Sequence, residues 1–231
     1  MILKRREPMI FRDRGHAGFS LAKQLSAYRG DPTALVLALP RGGVAVGYEI
    51  SRTLHLPLDV FITRKLSTPE NPEYAIGAVS ETGAIYLNPE AVEAFQLSHD
   101  DLEGLIQAQR REIARRQTLY RQGRSLPVLA DRTVILVDDG IATGSTFFAT
   151  IEAVMELSPR RLIAAIPVGP LETLTRVKSL VDELVVLEVP DSFNAVGAAY
   201  QDFTQVEDAQ VVALLKAAQD ALFQQPSPSR G

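Results

Sequence analysis

The chain has 231 residues, 46% of them apolar and 23% charged, which excludes a largely disordered or fibrous polymer and fits one large domain or one domain with an appendage. Its 24 Lys and Arg against 28 Asp and Glu give a formal charge of −4, so no global positive field directs it to nucleic acid or a membrane, and any anion site has to be built locally. With no cysteine and three scattered histidines, His16, His55 and His99, disulfides, a cysteine nucleophile and a His/Cys metal cage are excluded.

Met1–Gly15 mixes Lys4, Arg5, Arg6, Glu7, Arg12, Asp13 and Arg14 with short apolar pairs and lacks the apolar stretch of a signal peptide. No later apolar run reaches the roughly 18–20 residues that cross a bilayer, so a cytoplasmic location without a membrane partner is expected. Phe19, Leu21, Leu25 and Tyr28 share one face of a helix predicted over Ala17–Tyr28, closed by Gly30-Asp31-Pro32. Ala34–Leu39 is a continuous apolar run followed by Pro40, Gly42-Gly43 and an amphipathic stretch to about Leu54, the pattern of a buried strand, a glycine turn and a helix. Leu58–Thr63 and Ala75–Ser80 read as strands, and the polar, Pro-containing segment Arg64–Glu73 between them reads as a mobile lid. Pro89–Gln122 is a long helical stretch with a break near Ser98. Its arginines Arg110, Arg111, Arg115, Arg116 and Arg121 are offset by acids, as in the i,i+4 pair Glu112–Arg116, which favours a solvated helix face over a nucleic-acid surface.

Strand, turn and helix recur at Thr133–Val137 with a helix over Thr143–Leu157, and at Arg161–Pro167 with a helix to about Leu180. Val185–Leu187 is a further strand, Glu207–Phe223 a last helix, and the Pro/Ser-rich tail 224–231 is expected to fray. Buried strands alternating with helices predict an α/β fold, an open parallel sheet with helices on both faces.

The chemistry concentrates in Val134-Ile-Leu-Val-Asp-Asp-Gly-Ile-Ala-Thr-Gly-Ser-Thr146. Ligands of open α/β sheets bind at the carboxyl ends of strands, and a turn of Gly140, Ala142, Thr143, Gly144, Ser145 and Thr146 lets backbone N–H groups converge on a phosphate at a helix's positive end. The spacing is not that of a P-loop and no Lys follows, which points to a monophosphate. Asp138 and Asp139 would repel that phosphate if they touched it, but they suit a vicinal diol or Mg²⁺ held through water. A ribose 5-phosphate satisfies both halves.

Val137-Asp-Asp-Gly-Ile-Ala-Thr-Gly-Ser-Thr146 closely resembles the phosphoribosyl diphosphate (PRPP) motif of type I phosphoribosyltransferases. The resemblance implies that Asp138 and Asp139 bind the ribose hydroxyls and that Thr143–Thr146 bind the 5′-phosphate. It further implies that Pro40-Arg41-Gly42-Gly43 is a pyrophosphate loop with Arg41 as its basic side chain. Arg64-Lys65 would enter a lid near the leaving group, and 189–206 would form a hood over the base, where Phe193 stacks on a planar ring and Asp191 or Asp202 accepts from its N–H groups. The helical stretch 89–123 lies outside the resemblance and reads as an insertion in a single domain spanning 1–231.

What the resemblance implies is an Mg²⁺-dependent transfer of the ribose 5-phosphate group of PRPP to a nitrogen acceptor, a purine or similar base, with release of diphosphate. Asp138, Asp139, Arg41 and Lys65 would carry catalysis, and Gly42, Gly43, Arg64, Gly140, Ala142, Thr143, Gly144, Ser145, Thr146 and Phe193 would bind substrate. The family also implies a homodimer. The alternative is a PRPP- or nucleotide-sensing regulator that binds RNA or protein through the Arg-rich helix.

Overall fold

The computed structural model describes residues 10–68, 71 and 74–223. The basic amino-terminal residues 1–9, most of the Pro-containing part of the expected lid (Pro69, Glu70, Pro72 and Glu73) and the tail 224–231 lie outside the described residues. The main sheet is five-stranded, parallel, and ordered β2-β1-β6-β7-β8, with β1 at Ala34–Ala38, β2 at Leu58–Val60, β6 at Thr133–Val137, β7 at Arg161–Val168 and β8 at Glu183–Glu188. Every residue of β1 and β6 is buried, as continuous apolar runs require when both faces of a sheet are covered. Alternate residues sort to two cores. Val36, Ala38, Ile135 and Val137 pack with Leu21 and Leu25 beneath α1 (Arg14–Gln24), with Val46 and Ile50 of α2 (Gly42–Leu54), and with Val211 and Leu215 of the terminal helix Asp208–Phe223. Leu35, Leu37, Val134 and Leu136 pack on the other side with Phe147, Ile151 and Val154 of α5 (Ser145–Met155) and with Leu174 and Val177 of α6 (Leu171–Lys178).

The expected strand Leu58–Thr63 is divided. β2 stops at Val60, and a separate antiparallel sheet begins with β3 (Thr63–Leu66), followed by β4 (Gly77–Ser80) and β5 (Ile85–Leu87). The divide follows from where the backbone hydrogen bonds go: the Phe61 N–H donates to the Ala38 carbonyl at 3.0 Å, whereas the Ile62 N–H donates to Oε1 of Glu81 at 2.8 Å. Arg64 and Lys65, expected in a loop, therefore lie on a strand. The small sheet is held between α5, where Thr150 donates to Thr63 at 2.8 Å, and α4 (His99–Arg121), whose Ile106 and Ile113 meet Leu66, Ile76 and Val79.

The predicted break near Ser98 separates α3 (Pro89–Ala94) from α4, and Ser98 with Asp101 forms a capping box at the start of α4. Along α4 the expected Glu112–Arg116 pair forms at 2.7 Å, Arg115 bridges Glu112 and Asp208 of the terminal helix, and Arg121 is buried. Most of this arginine charge is thus committed within the protein, and no helix among the described residues is long and apolar enough to cross a membrane.

Candidate active site

The order of the main sheet reverses between β1 and β6, and the crevice outside the carboxyl ends of strands at such a switch point is where open α/β sheets bind ligands. Both suspected loops leave the sheet there. Pro40-Arg41 continues β1 into α2 through a cis peptide, and Asp138-Asp139-Gly140 continues β6. The two loops touch. A methyl group at Gly42 would overlap the Asp139 carboxylate, and one at Gly43 would sit 2.8 Å from the Val137 carbonyl oxygen and 2.9 Å from Cα of Asp138. Glycine is required here because the start of α2 approaches the acid pair at backbone distance. Gly43→Ala is expected to cost about 1–3 kcal/mol by forcing α2 off β6, measured by urea unfolding, with Gly104→Ala on α4, where the added methyl meets no atom within 4 Å and the backbone is helical, as a control for added bulk.

Beyond Asp139 the chain makes a tight turn into α5. Gly144 adopts φ 76°, the Ile141 N–H donates to the Val168 carbonyl at 3.0 Å, and Oγ1 of Thr173 donates to the Ala142 carbonyl at 2.8 Å. No side chain caps α5, so its first N–H groups and the hydroxyls of Thr143 and Ser145, 3.3 Å apart, face a cleft of about 340 Å³. The cleft is lined by Asp138, Lys65, Gly140, Ala142, Thr143, Gly144, Ser145 and Thr146. The structure therefore gathers most of the residues singled out from the sequence into one concavity.

Asp139, Gly42 and Gly43 make the contact between the two loops and are not part of the cleft's lining, and Arg41, Arg64 and Phe193 lie elsewhere. Arg41 stands at the first turn of α2 with Nη1 3.5 Å from Glu207. Arg64, one residue before Lys65 on β3, leaves the opposite face of the strand and donates Nε to Gln109 of α4 at 3.0 Å, so the basic pair is not a pair in space. Phe193 lines a second cleft of about 170 Å³ with Val168, Pro190 and Ala195, at the neighbouring end of β7, and it packs with Phe11 and Tyr200. Asp202 is occupied locally by the N–H and hydroxyl of Thr204 at 2.9 and 2.6 Å, and Asp191 is exposed.

Two site residues carried no signal in the sequence. Arg14, at the start of α1, donates Nε to Oδ2 of Asp139 at 2.7 Å and Nη1 to the Thr204 carbonyl at 2.8 Å, while its guanidinium lies 3.9 Å from the centre of the Phe203 ring. Tyr200 donates its hydroxyl to the Asp139 carbonyl at 2.6 Å. The hood at 189–206 is completed by the chain before α1, since Phe11 bridges to Tyr200 and donates its N–H to the Ala199 carbonyl at 2.8 Å.

Residues 15–202 match the family model of the phosphoribosyl transferase domain. The chain belongs to the phosphoribosyltransferase family. It is 43% identical to the Thermus thermophilus protein TT1426, whose crystal structure superposes with a TM-score of 0.75 over 90% of this chain and 98% of that one. A Mycobacterium tuberculosis protein that carries a provisional phosphoribosyl transferase name is 40% identical over 206 residues, 89% of this chain and 46% of that protein. The chain therefore spans about half the length of the curated relatives it matches.

In this member of the phosphoribosyltransferase family the two adjacent acids have different environments. Burial, and after it the charge of Asp139, pushes the Asp138 carboxyl well above the usual carboxylate range. Burial also raises Asp139, but the Arg14 guanidinium beside it pulls in the opposite direction and favours its ionised form. Burial and then the Asp139 charge likewise raise the Tyr200 hydroxyl, which keeps it a donor. Among the described residues no three His, Asp or Glu side chains gather as a cation cage. With Asp139 engaged by Arg14 and Asp138 lining the cleft, the donor set fits a cation held through water at Asp138.

Proposed function

We propose that this chain transfers the ribose 5-phosphate group of PRPP to a nitrogen acceptor, a purine or similar base, with Mg²⁺ and with release of diphosphate. The observation that carries the proposal is the single cleft at the switch point, in which a half-buried acid, an uncapped helix start and a lysine face one another. The turn Gly140–Thr146 binds the 5′-phosphate through the α5 N–H groups and the Thr143, Ser145 and Thr146 hydroxyls. Asp138 accepts from the ribose hydroxyls and Asp139 braces it, while Arg41 and Arg64, from the α2 and α4 side outside that cleft, face the diphosphate with the Gly42-Gly43 turn, and Lys65 adds its charge from within the cleft. Mg²⁺, when bound, supplies charge neutralisation on the leaving group. The protein's share is then to hold ribose and phosphate rigidly while positive charge develops at the anomeric carbon, and to offset the negative charge that departs.

The acceptor is placed in the second cleft, next to Gly140, where a methyl group would run into Val196 of the hood and lie 3.0 Å from Val168. Phe193→Ala is expected to raise the acceptor KM about 5-fold, the ~1 kcal/mol of one aromatic stack, while the PRPP Kd stays unchanged. The decisive experiment measures diphosphate release from PRPP and Mg²⁺ across a panel of heterocyclic bases. Release with one base class identifies the acceptor, whereas PRPP binding with silence across the panel would move the protein to the sensing alternative.

A further inference from the structure

On the side of β3 away from Lys65, helix α4 brings its own charges to the same end of the molecule. Arg64 is half-buried and makes no ion pair among the described residues, its hydrogen bond going to Gln109. Burial, and then the positive charge of Arg116, lowers its hold on its proton, and the charge of Arg41 acts in the same sense. Geometry brings the same groups together: Gln109, Glu112 and Arg116 follow one another on one face of α4, so Arg64 on Gln109 lies beside the Arg116–Glu112 pair, and Arg41 approaches from Glu207, whose chain neighbour Asp208 is tied to α4 through Arg115. The carboxylates facing them are few. Glu112 accepts from Nε of Arg116 at 2.7 Å and is shared with Arg115, whose hydrogen bonds hold its carboxyl down to about 2. Glu207 is exposed and 3.5 Å from Arg41, and Asp208 is taken by Arg115 and Tyr120.

Like charges gathered in partial burial repel one another and forgo hydration, and a polyvalent anion relieves both costs at once. We propose that Arg116 of α4 acts with Arg41 and Arg64 as a three-guanidinium site for the diphosphate end of the substrate, and that Glu112 is the resident counter-ion which Arg116 exchanges for it. The inference rests on the proposed function and extends it to a helix that the family motif does not reach. In this role Glu112 sets the affinity from the opposite direction: it keeps Arg116 neutralised when the site is empty and competes with the incoming anion.

The test is calorimetric titration of magnesium diphosphate, of ribose 5-phosphate and of PRPP, each separately, into the full chain and two variants. Arg116→Met is expected to weaken diphosphate binding at least about 10-fold, the weight of one charge-assisted contact. Glu112→Gln is expected to tighten it several-fold. Both variants are expected to leave ribose 5-phosphate affinity unchanged, because that ligand occupies only the α5 turn and the acid pair. Opposite signs for the two variants distinguish the role from a structural one, in which both changes would weaken both ligands, and that pattern would overturn the proposal. An unaltered diphosphate affinity in Arg116→Met would also overturn it. If the unmodified chain binds ribose 5-phosphate and PRPP while Arg116→Met binds none of the ligands, the α4 assignment alone fails. If the unmodified chain binds none of the three ligands, the underlying phosphoribosyl assignment falls with it.

Discussion

Asp138→Asn is expected to weaken PRPP binding at least about 100-fold, or ~2.7 kcal/mol, and at the same time to raise the thermal midpoint of the ligand-free protein. The two effects have one cause. The site holds a carboxylate that is partly withdrawn from water, so the ionised form is costly to the fold and useful to a ligand that donates hydroxyls. Asparagine keeps the oxygen that accepts the Asp139 N–H, observed at 2.8 Å, and removes the charge. The sign of the pH dependence follows. Because the folded carboxyl sits above its unfolded value, the penalty is absent below the ordinary carboxylate pKa and grows as pH rises toward the raised folded value. The stability gap between variant and parent should therefore open across that window and stay open at neutral pH, as followed by thermal melts in metal-free buffer. Asp139→Asn should behave in the opposite way, because it leaves the mostly buried Arg14 without its carboxylate and loosens the hood from the loop. Unchanged PRPP affinity in Asp138→Asn would sink the assignment of the acid pair.

A second large effect is expected at Arg121, outside the cleft. Its side chain is 2% exposed, and it donates to Asp59 at 3.0 Å, to the Val60 carbonyl and twice to Glu81. One guanidinium thus ties the end of α4 to the end of β2 and to the edge of the small sheet. Arg121→Met is expected to destabilise the fold by about 3–5 kcal/mol, since two carboxylates would remain buried without their cation. In a chain of this size that loss lowers the midpoint by roughly 10 °C, readable by calorimetry. Replacing all three groups together, Arg121→Met with Asp59→Leu and Glu81→Met, should recover part of the loss, because no buried charge remains, the rest being kept by the Ile62 and Val60 N–H groups and the Val60 carbonyl, which lose their partners. If the triple variant were as unstable as the single one, packing at Arg121 would matter more than its charge.

The parts of the molecule that were legible in the sequence are those whose physics is local. β1 and β6 announce themselves as apolar runs because both faces are covered, and Asp138–Thr146 announces itself because a tight turn open to a cleft needs small residues at fixed positions. The Glu112–Arg116 pair follows from helical spacing alone. What was not legible depends on contacts made across the chain. Leu58–Thr63 reads as one strand because hydrophobicity is continuous through Phe61 and Ile62, and only Glu81, on another strand end, reveals where pairing passes from one sheet to the other. Arg64 and Lys65 look like a basic pair until β3 is recognised as a strand, whose alternation sends one to α4 and the other to the cleft at the start of α5. Arg14 sits among other charges, and nothing nearby marks it as the partner of an acid 125 positions later.

The register of the central sheet also bears on how the molecule comes into being. β1 and β6 lie side by side in parallel, pairing Ala34 with Thr133 and Ala38 with Val137, and the Gly42-Gly43 turn meets Asp138-Asp139 only because of that alignment. Closing so long a stretch of chain is entropically slow, and neither strand with its own turn and helix contains a complete ligand cleft. During synthesis the meeting of the two loops therefore cannot exist on a half-made chain. A ligand that needs both loops binds only molecules whose central sheet has already closed, and so stabilises that state.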